Sequence, residues 1–190
     1  MDIRQGMIGF SGGTRWIQRA IGYFTDSEFS HSFMVKNNAD GIPCALETTS
    51  TTVMFGPVAD KLQEKNWVEM WDVIAPEEQK AAALETCLPY IGSWYSYLSY
   101  LWFLYAWAKK KLGMRPPTKM WKWCTPGNTC TELTQKYPKY LFPELFEGLD
   151  ENIVTPPVLR NIMVEHPEKF VLLGWYVPRE LVEENRKRRP

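Results

Sequence analysis

The chain lacks an excess of charge of either sign, and this argues against a nucleic-acid-binding protein. Its 22 lysines and arginines equal its 22 aspartates and glutamates, whereas a phosphate backbone is bound through clustered surplus positive charge. The two basic runs, at 109–111 and 186–189, are explained by a solvated helix end and a solvated tail. We therefore expect no nucleic-acid partner.

Ligands for metal ions are also scarce. The sequence has two histidines and four cysteines, and no two of the cysteines form a Cys-x-x-Cys pair. Zinc sites draw on histidine and cysteine at short, regular spacings. We therefore expect no metal site and no cofactor.

A secretory leader is missing from the first residues, which read Met-Asp-Ile-Arg-Gln-Gly without an apolar run. Free thiols without a disulfide framework are typical of a reducing compartment. We expect the protein in the cytoplasm or packaged into a particle.

The chain has neither a repeat nor a linker that would divide it. At 190 residues and 45% hydrophobic composition it is long enough to bury one substantial core. Candidate strands and helices alternate irregularly along it, which is typical of the α+β class. We predict a single domain over 1–190, in which an antiparallel sheet packs against helices.

What the sequence does contain is a cysteine at a predicted helix start. Thr129 and Glu132 have the spacing of a capping box, which places Cys130 at the first helical position. The free N–H groups and the helix dipole stabilise a thiolate there, and thiolates are nucleophiles. The alternative interpretation is a small buried core residue, because free cysteine is among the most buried residue types.

His31 is the candidate base. It lies in the segment 29–35, whose alternating pattern predicts a strand, and a second candidate strand follows at 42–49. If the hairpin is symmetric about Ala39, paired residue numbers add up to 78 and His31 faces Glu47. Glu47 would then orient the imidazole. The alternative is a structural strand histidine, and the second histidine, His166, lies in a segment typical of an exposed helix end.

The order His31, Glu47, Cys130 resembles that of the circularly permuted papain-like hydrolases of the NlpC superfamily, the YiiX-like group. Such proteins open with a glycine-rich strand, continue through a Ser-His strand and a Glu-containing strand, and carry the nucleophile in a Cys-Ser-Glu-Leu segment. This chain departs from the pattern at Met7, where an acidic residue is common, and at Thr131, where serine is usual. The matching segments are 6–10, Ser30-His31-Ser32, Leu46-Glu47-Thr48, 130–133 and 154–157.

The resemblance implies a permuted papain-like fold with the nucleophile at a helix N-terminus. It also implies acyl transfer, in which Cys130 attacks an amide or ester carbonyl, His31 transfers protons and Glu47 holds the imidazole. A thiol hydrolase that cleaves a peptide or isopeptide amide, including cell-wall peptide, is the first interpretation. A lipid acyl hydrolase or acyltransferase at a membrane surface is the second, and a catalytically silent binding or structural protein on the same fold is the third.

The segment 88–108 contains no charged residue and ends at Lys109. Its length would span a bilayer, but its serines, proline and tyrosines dilute its apolarity, and tyrosine and tryptophan prefer the membrane interface. We expect a mainly helical aromatic segment that lines a groove near Cys130, and we do not expect a transmembrane anchor. Contact with a membrane surface remains an alternative, for which Trp102 and Trp107 are the expected anchors.

Overall fold

The computed structural model describes residues 2–13, 16–63, 66–121 and 127–176. These ranges do not include Trp123, Cys124 or the basic run at 186–189. The described part of the chain folds into one antiparallel sheet of six strands, covered by helices. The strands are β1 (Ile8–Gly13), β2 (His31–Asn37), β3 (Pro43–Thr48), β4 (Val53–Pro57), β5 (Asn66–Val73) and β6 (Phe170–Tyr176).

Helices occupy most of the remaining described sequence, and three short 3-10 turns connect them, at Leu88–Tyr90, Pro143–Phe146 and Glu151–Ile153. The helices are α1 (Trp16–Thr25), α2 (Val58–Gln63), α3 (Glu77–Glu85), α4 (Leu98–Lys111), α5 (Cys130–Thr134), α6 (Lys136–Leu141) and α7 (Pro156–Glu165).

The strand order is β4-β3-β2-β1-β5-β6, and every neighbouring pair is antiparallel. The α+β class and the sheet-against-helices architecture predicted from the sequence are therefore confirmed. Strand β1 lies inside the sheet, and Gly9 is required there because a Cβ at this position would lie 2.1 Å from the Phe33 ring. In the same pairing of β1 with β2, His31 lies opposite Ser11.

The sheet separates two apolar clusters, as alternation along its strands predicts. The larger cluster includes Met34 and Leu46 together with Leu133 and Tyr137 from the α5 and α6 segment. The smaller one includes Phe33 and, from α2, Val58. Helices α5 and α6 therefore cover one face of β2 and β3, while α2 covers the other.

The hairpin register differs from the predicted one by two residues. Partners in β2 and β3 have numbers that add up to 80, as in the pair Met34 and Leu46, rather than 78. The loop 38–42 is centred on Asp40 rather than on Ala39, and the Asn38 side chain accepts hydrogen bonds from the backbone N–H groups of Asp40 and Ile42 within it. A shift of two residues keeps every side chain on its predicted face.

The segment 88–108 is helical only in part. Leu88–Tyr90 is a 3-10 turn, residues 94 and 95 form bridges to other segments, and α4 begins at Leu98. The expected anchors, Trp102 and Trp107, face inward: Trp102 is buried, and Trp107 packs on the rings of Tyr23 and Phe24. Among the described residues no helix is long and apolar enough to cross a membrane.

Candidate functional site

Helix α5 begins with the predicted capping box. The Thr129 hydroxyl accepts the backbone N–H of Glu132 at 3.2 Å, and the Glu132 carboxylate accepts the backbone N–H of Thr129. The local spacing was sufficient for this prediction because both partners lie within four residues. Cys130 is therefore the first residue of the helix, and its backbone N–H has no acceptor within the helix.

Hydroxyl groups fix α5 to the sheet. Ser32 Oγ donates to Thr134 Oγ1 at 3.2 Å, and Thr134 Oγ1 donates to the carbonyl of Cys130 at 2.8 Å. Thr48 Oγ1 donates to the carbonyl of Thr129 at 3.3 Å. The start of α5 is thus attached to both β2 and β3, the strands that carry the candidate base and acid.

His31 and Glu47 form a hydrogen-bonded pair. His31 Nε2 lies 2.6 Å from Glu47 Oε2, with 21% of the His31 side chain and 5% of the Glu47 side chain exposed. The observed register sets Glu47 opposite Phe33, so it reaches His31 along the diagonal of the hairpin. Diagonal neighbours on one face are within reach of long side chains, and the pair therefore forms although the assumed register was wrong.

Lys61 is a neighbour of Glu47 that sequence reasoning missed. Its Nζ lies 2.7 Å from Glu47 Oε1, so the two carboxylate oxygens bind two different cations. Burial opposes the charged form of Glu47 most strongly, but His31 and Lys61 outweigh it and lower the pKa of Glu47. No pattern around residue 61 pointed to this contact, because it depends on how α2 packs on the sheet.

The thiol of Cys130 interacts with the imidazole of His31. Burial disfavours the thiolate, but the charge and hydrogen bond of His31 and the backbone N–H of Ser32 lower the pKa of Cys130. Burial likewise disfavours the imidazolium, but Cys130 and then Glu47 raise the pKa of His31. Shifts in these directions favour a thiolate–imidazolium ion pair at neutral pH. Nε2 is occupied by Glu47, which leaves Nδ1 for the thiol.

Glu132 is a further polar residue at the start of α5. Burial raises the pKa of Glu132 to about 7, more than its hydrogen bonds to Thr129 compensate. Its Oε1 atom is buried without a hydrogen-bond partner among the described residues. Glu132 therefore stabilises the helix start as a cap, yet its charged form is costly in this position.

An apolar cavity opens beside the thiol. Its volume is about 240 Å³. It lies between α1, α4 and the start of α7, with Cys130 in its wall. The side chains that give it its apolar character are Ile21, Phe24, Leu101, Phe103, Leu104 and Val154. The cavity can hold an apolar group of modest size next to the sulfur.

The aromatic segment is attached to the nucleophile loop through backbone hydrogen bonds. Asn128 donates its N–H to the carbonyl of Trp94 at 3.0 Å, and the N–H of Ser96 donates to the carbonyl of Asn128 at 3.3 Å. Gly127 has φ +93° and its missing Cβ would lie 2.5 Å from the Trp94 carbonyl oxygen, so a side chain is excluded there. This pairing brings α4 to the cavity.

The other histidine lies apart from the site. His166 follows the last residue of α7 and its Nδ1 lies 3.2 Å from the exposed carboxylate of Glu168. This agrees with the exposed helix end predicted from the sequence.

Comparison with known proteins shows the fold. No protein-family model matches the sequence, and no curated protein matches it. The chain is similar to the crystal structure of the metalloprotein YiiX from Escherichia coli O157:H7, with a TM-score of 0.56 and 18% sequence identity. The likeness covers 92% of this chain and 98% of that chain. The chain therefore has a YiiX-like α+β fold.

Proposed function

We propose that the protein is a cysteine-dependent acyl hydrolase on a permuted papain-like fold, with Cys130 as nucleophile, His31 as general acid and base, and Glu47 as the group that orients the imidazole. The observation that carries the proposal is the line of contacts from Glu47 through His31 to a buried thiol at a capped helix start. An amide of a peptide, an isopeptide or a cell-wall peptide is the first substrate class.

The chemistry proceeds in two steps. The thiolate of Cys130 adds to the carbonyl carbon, and the carbonyl electron pair moves onto oxygen, where the backbone N–H of Cys130 donates to it. The C–N or C–O bond breaks as the leaving group takes the proton of the His31 imidazolium, which leaves a thioester. Neutral His31 then takes a proton from water, the hydroxide adds to the thioester, and the acid and the thiolate are released.

Glu47 and Lys61 support this cycle without touching the substrate. Glu47 fixes the ring orientation of His31 and favours its protonated form. Lys61 keeps Glu47 charged while His31 is neutral in the acyl-enzyme, because it supplies a cation that does not change during the reaction. The pair therefore persists through both steps.

YiiX is a metalloprotein by its description. Within the part of this chain that the structure describes, no group of three or more histidine, cysteine, aspartate and glutamate side chains is placed to hold a metal ion.

The apolar cavity favours a second candidate, a lipid acyl hydrolase or acyltransferase. Apolar side chains of α1 and α4 form one part of its wall, among them Ile21, Phe24 and Leu104, and a fatty acyl chain needs such surroundings. An alcohol or amine that replaces water in the second step would make the same machinery a transferase.

Acyl-enzyme formation tests the proposal. The full chain is incubated with p-nitrophenyl butyrate and, separately, with the corresponding p-nitroanilide, and the acylated peptide is located by mass spectrometry. We expect a thioester on Cys130 in the wild type, and its loss in Cys130→Ala and His31→Ala. Cys44→Ser is the matched control, because Cys44 of β3 is also a free, buried cysteine.

The outcomes separate the three interpretations. Turnover of the anilide supports amide hydrolysis, and turnover confined to esters of longer acyl chains supports the lipid substrate. Labelling of Cys130 no faster than that of Cys44 would mean a silent site, and the proposed function would be wrong.

A further inference from the structure

Helix α4 carries an exposed apolar stripe that starts just before the helix. Leu98, Leu101 and Tyr105 are spaced three and four residues apart, so they lie on one face of the helix, and all are exposed, Leu101 by 53%. Leu104 flanks this stripe, and the side chain of Trp94 is 82% exposed. These five residues are called the α4 rim.

The α4 rim borders the mouth of the cavity. Leu101 and Leu104 belong both to the rim and to the wall that contains Cys130. When the rim rests on an apolar surface, an apolar molecule can therefore move from that surface into the cavity without passing through water. This arrangement distinguishes the rim from isolated exposed leucines, which are common on protein surfaces.

Positive charge lies at the end of the same helix. Lys109, Lys110 and Lys111 form its last turn, and the side chain of Lys110 is 65% exposed with only a loose contact, at 3.7 Å, to the exposed Asp26. Lys109 lies over the ring of Tyr105 at 5.6 Å. The apolar stripe thus ends in cations, a combination that fits an anionic lipid surface.

We propose that the α4 rim docks on the surface of a bilayer that contains anionic lipid. Tyrosine and tryptophan prefer the headgroup region, the leucines enter the acyl boundary, and the lysines contact the headgroups. The helix lies along the interface and does not cross the bilayer. This proposal does not depend on the proposed catalytic function, because docking requires no chemistry.

Flotation of the full chain with vesicles tests the docking proposal. The vesicles are phosphatidylcholine alone, or phosphatidylcholine with about one third phosphatidylglycerol. We expect binding to the anionic vesicles and a loss of binding at high salt. Replacing two lysines, Lys110→Gln with Lys111→Gln, should weaken binding about 25-fold, since each surface lysine contributes about 1 kcal/mol, a factor of about five.

An apolar double variant, Leu98→Ser with Leu101→Ser, should weaken binding at least tenfold. Its matched control is Leu172→Ser with Leu173→Ser, two leucines of β6 that are also exposed. Absence of flotation with both vesicle types would overturn the proposal, as would equal losses in the two double variants. A stable dimer in solution that only the α4 variant disrupts, without vesicle binding, would make the rim an interface between copies of the chain.

A second observation concerns Ser30. Its side chain is buried, its Oγ has no hydrogen-bond partner among the described residues, and the residue lines the cavity together with Cys130. Its backbone N–H donates to the Ser11 carbonyl at 3.0 Å, so the strand alternation extends to it. Ser30 therefore shares the face of Ser32, the face on which α5 packs.

The geometry points to Ser30 as the second oxyanion donor, beside the backbone N–H of Cys130. A buried hydroxyl without a partner is costly, and a substrate oxygen that accepts its proton would satisfy it. This assignment rests on the proposed function. In this role Ser30 contacts the reacting oxygen, which neither His31 nor Glu47 does.

Two reactions of Cys130 separate this role from a structural one. Acylation by p-nitrophenyl butyrate passes through an oxyanion, whereas alkylation by iodoacetamide does not. In Ser30→Ala we expect acylation to slow by about 100-fold, with alkylation unchanged. Ser11→Ala is the matched control, because Ser11 is a buried serine of the adjacent strand that does not line the cavity. Equal slowing of both reactions, or of neither, would overturn the assignment.

A third measurement keeps the Ser30 assignment independent of turnover. Butyraldehyde adds to the thiol as a hemithioacetal, whose oxygen occupies the oxyanion position, and it should protect Cys130 from iodoacetamide. We expect protection in the wild type and at least tenfold weaker protection in Ser30→Ala. Wild-type protein that is protected but never acylated would contradict the proposed function alone. Absence of protection, or equal protection in the variant, would contradict the role of Ser30.

Discussion

Glu47 and Glu69 are both buried carboxylates on strands of one sheet, but their cationic partners differ in kind. Glu69 pairs with Arg160 of α7 through two contacts, Nε to Oε1 at 2.6 Å and Nη2 to Oε2 at 2.9 Å. Glu47 pairs with the titratable His31 as well as with Lys61. Arginine is always charged and binds in a fixed geometry, whereas histidine changes its charge near neutral pH.

The surroundings reinforce the difference. Arg160 lies against the rings of Phe29 at 5.2 Å and Trp71 at 6.0 Å, so its position is held by packing on both sides. His31 instead meets a thiol. The first pair joins α7 to β5, and the second pair places a titratable cation beside the thiol of Cys130, whose pKa it lowers. We call the pair of Glu69 and Arg160 the structural pair, because its cation keeps its proton. We call the pair of Glu47 and His31 the chemical pair, because its cation can lose a proton.

The largest expected effect comes from breaking the structural pair. Arg160→Met leaves Glu69 buried and unpaired, which should cost about 3–5 kcal/mol of unfolding free energy, measured by urea denaturation. Alkylation of Cys130 by iodoacetamide at pH 7 should stay unchanged in the folded variant. Adding Glu69→Leu should restore much of the stability. A loss below about 1 kcal/mol in the single variant would contradict the comparison.

Breaking the chemical pair should act on reactivity. His31→Ala removes the cation that lowers the pKa of Cys130, so the pKa of the buried thiol should rise to its ordinary value or above it. Alkylation at pH 7 should slow by about 100-fold, because only the thiolate reacts. The measurement is the rate of iodoacetamide alkylation between pH 5 and 10.

His166→Ala is the control for this variant, because His166 lies at an exposed helix end. Unchanged alkylation in His31→Ala, with the fold intact, would show that His31 does not stabilise the thiolate.

Glu132 is a third buried carboxyl, and it forms no ion pair within the described ranges. Its folded-state pKa of about 7 exceeds the unfolded value of about 4.3, so the unfolding free energy should fall as pH rises from about 4.3 to about 7. Glu132→Gln keeps the acceptor for the Thr129 N–H and should be more stable than the wild type at pH 8, by on the order of 2 kcal/mol.

Urea denaturation of both proteins at intervals from pH 4 to 8 measures this difference. The two curves should converge toward pH 4, where the carboxyl is protonated in both states. Curves that remain parallel over the whole range would mean that Glu132 does not titrate on folding.

The smallest expected effect is that of Glu47→Gln. The amide still accepts a hydrogen bond from His31 but removes the negative charge that helps to raise the pKa of the imidazole. Alkylation of Cys130 at pH 7 should slow by about tenfold, because a smaller share of the thiol is ionised. Glu69→Gln, the same change in the structural pair, should leave the alkylation rate unchanged. Equal effects of the two substitutions on alkylation would remove the distinction between the two carboxylates.

The sequence predicted most of the strands and helices, but not how they lie beside one another. Strands β2 and β3 begin and end within two residues of the predicted limits 29–35 and 42–49, because alternation and turn residues act locally. Strand β1 continues to Gly13, beyond the matching glycine-rich segment 6–10, and its last two glycines pair with β5. This extension depends on a strand that is distant in the sequence.

The same difference between local and distant contacts applies to the candidate site. The sequence alone determined that Cys130 stands first in a capped helix, because Thr129 and Glu132 bond to neighbours within four residues. It also determined that His31 and Glu47 share a face, since an error of two residues in register preserves the alternation. These properties depend on contacts close along the chain or on the period of the strand.

Only the tertiary structure decided what surrounds the thiol. Lys61 reaches Glu47 because α2 packs on the sheet, and Ser30 meets the cavity because α5 covers its face. The cavity itself lies between α1 and α4, which are far apart in sequence. Each of these contacts depends on how separate elements pack, and the free energy of packing is set by the shapes of both partners together, which no single segment encodes.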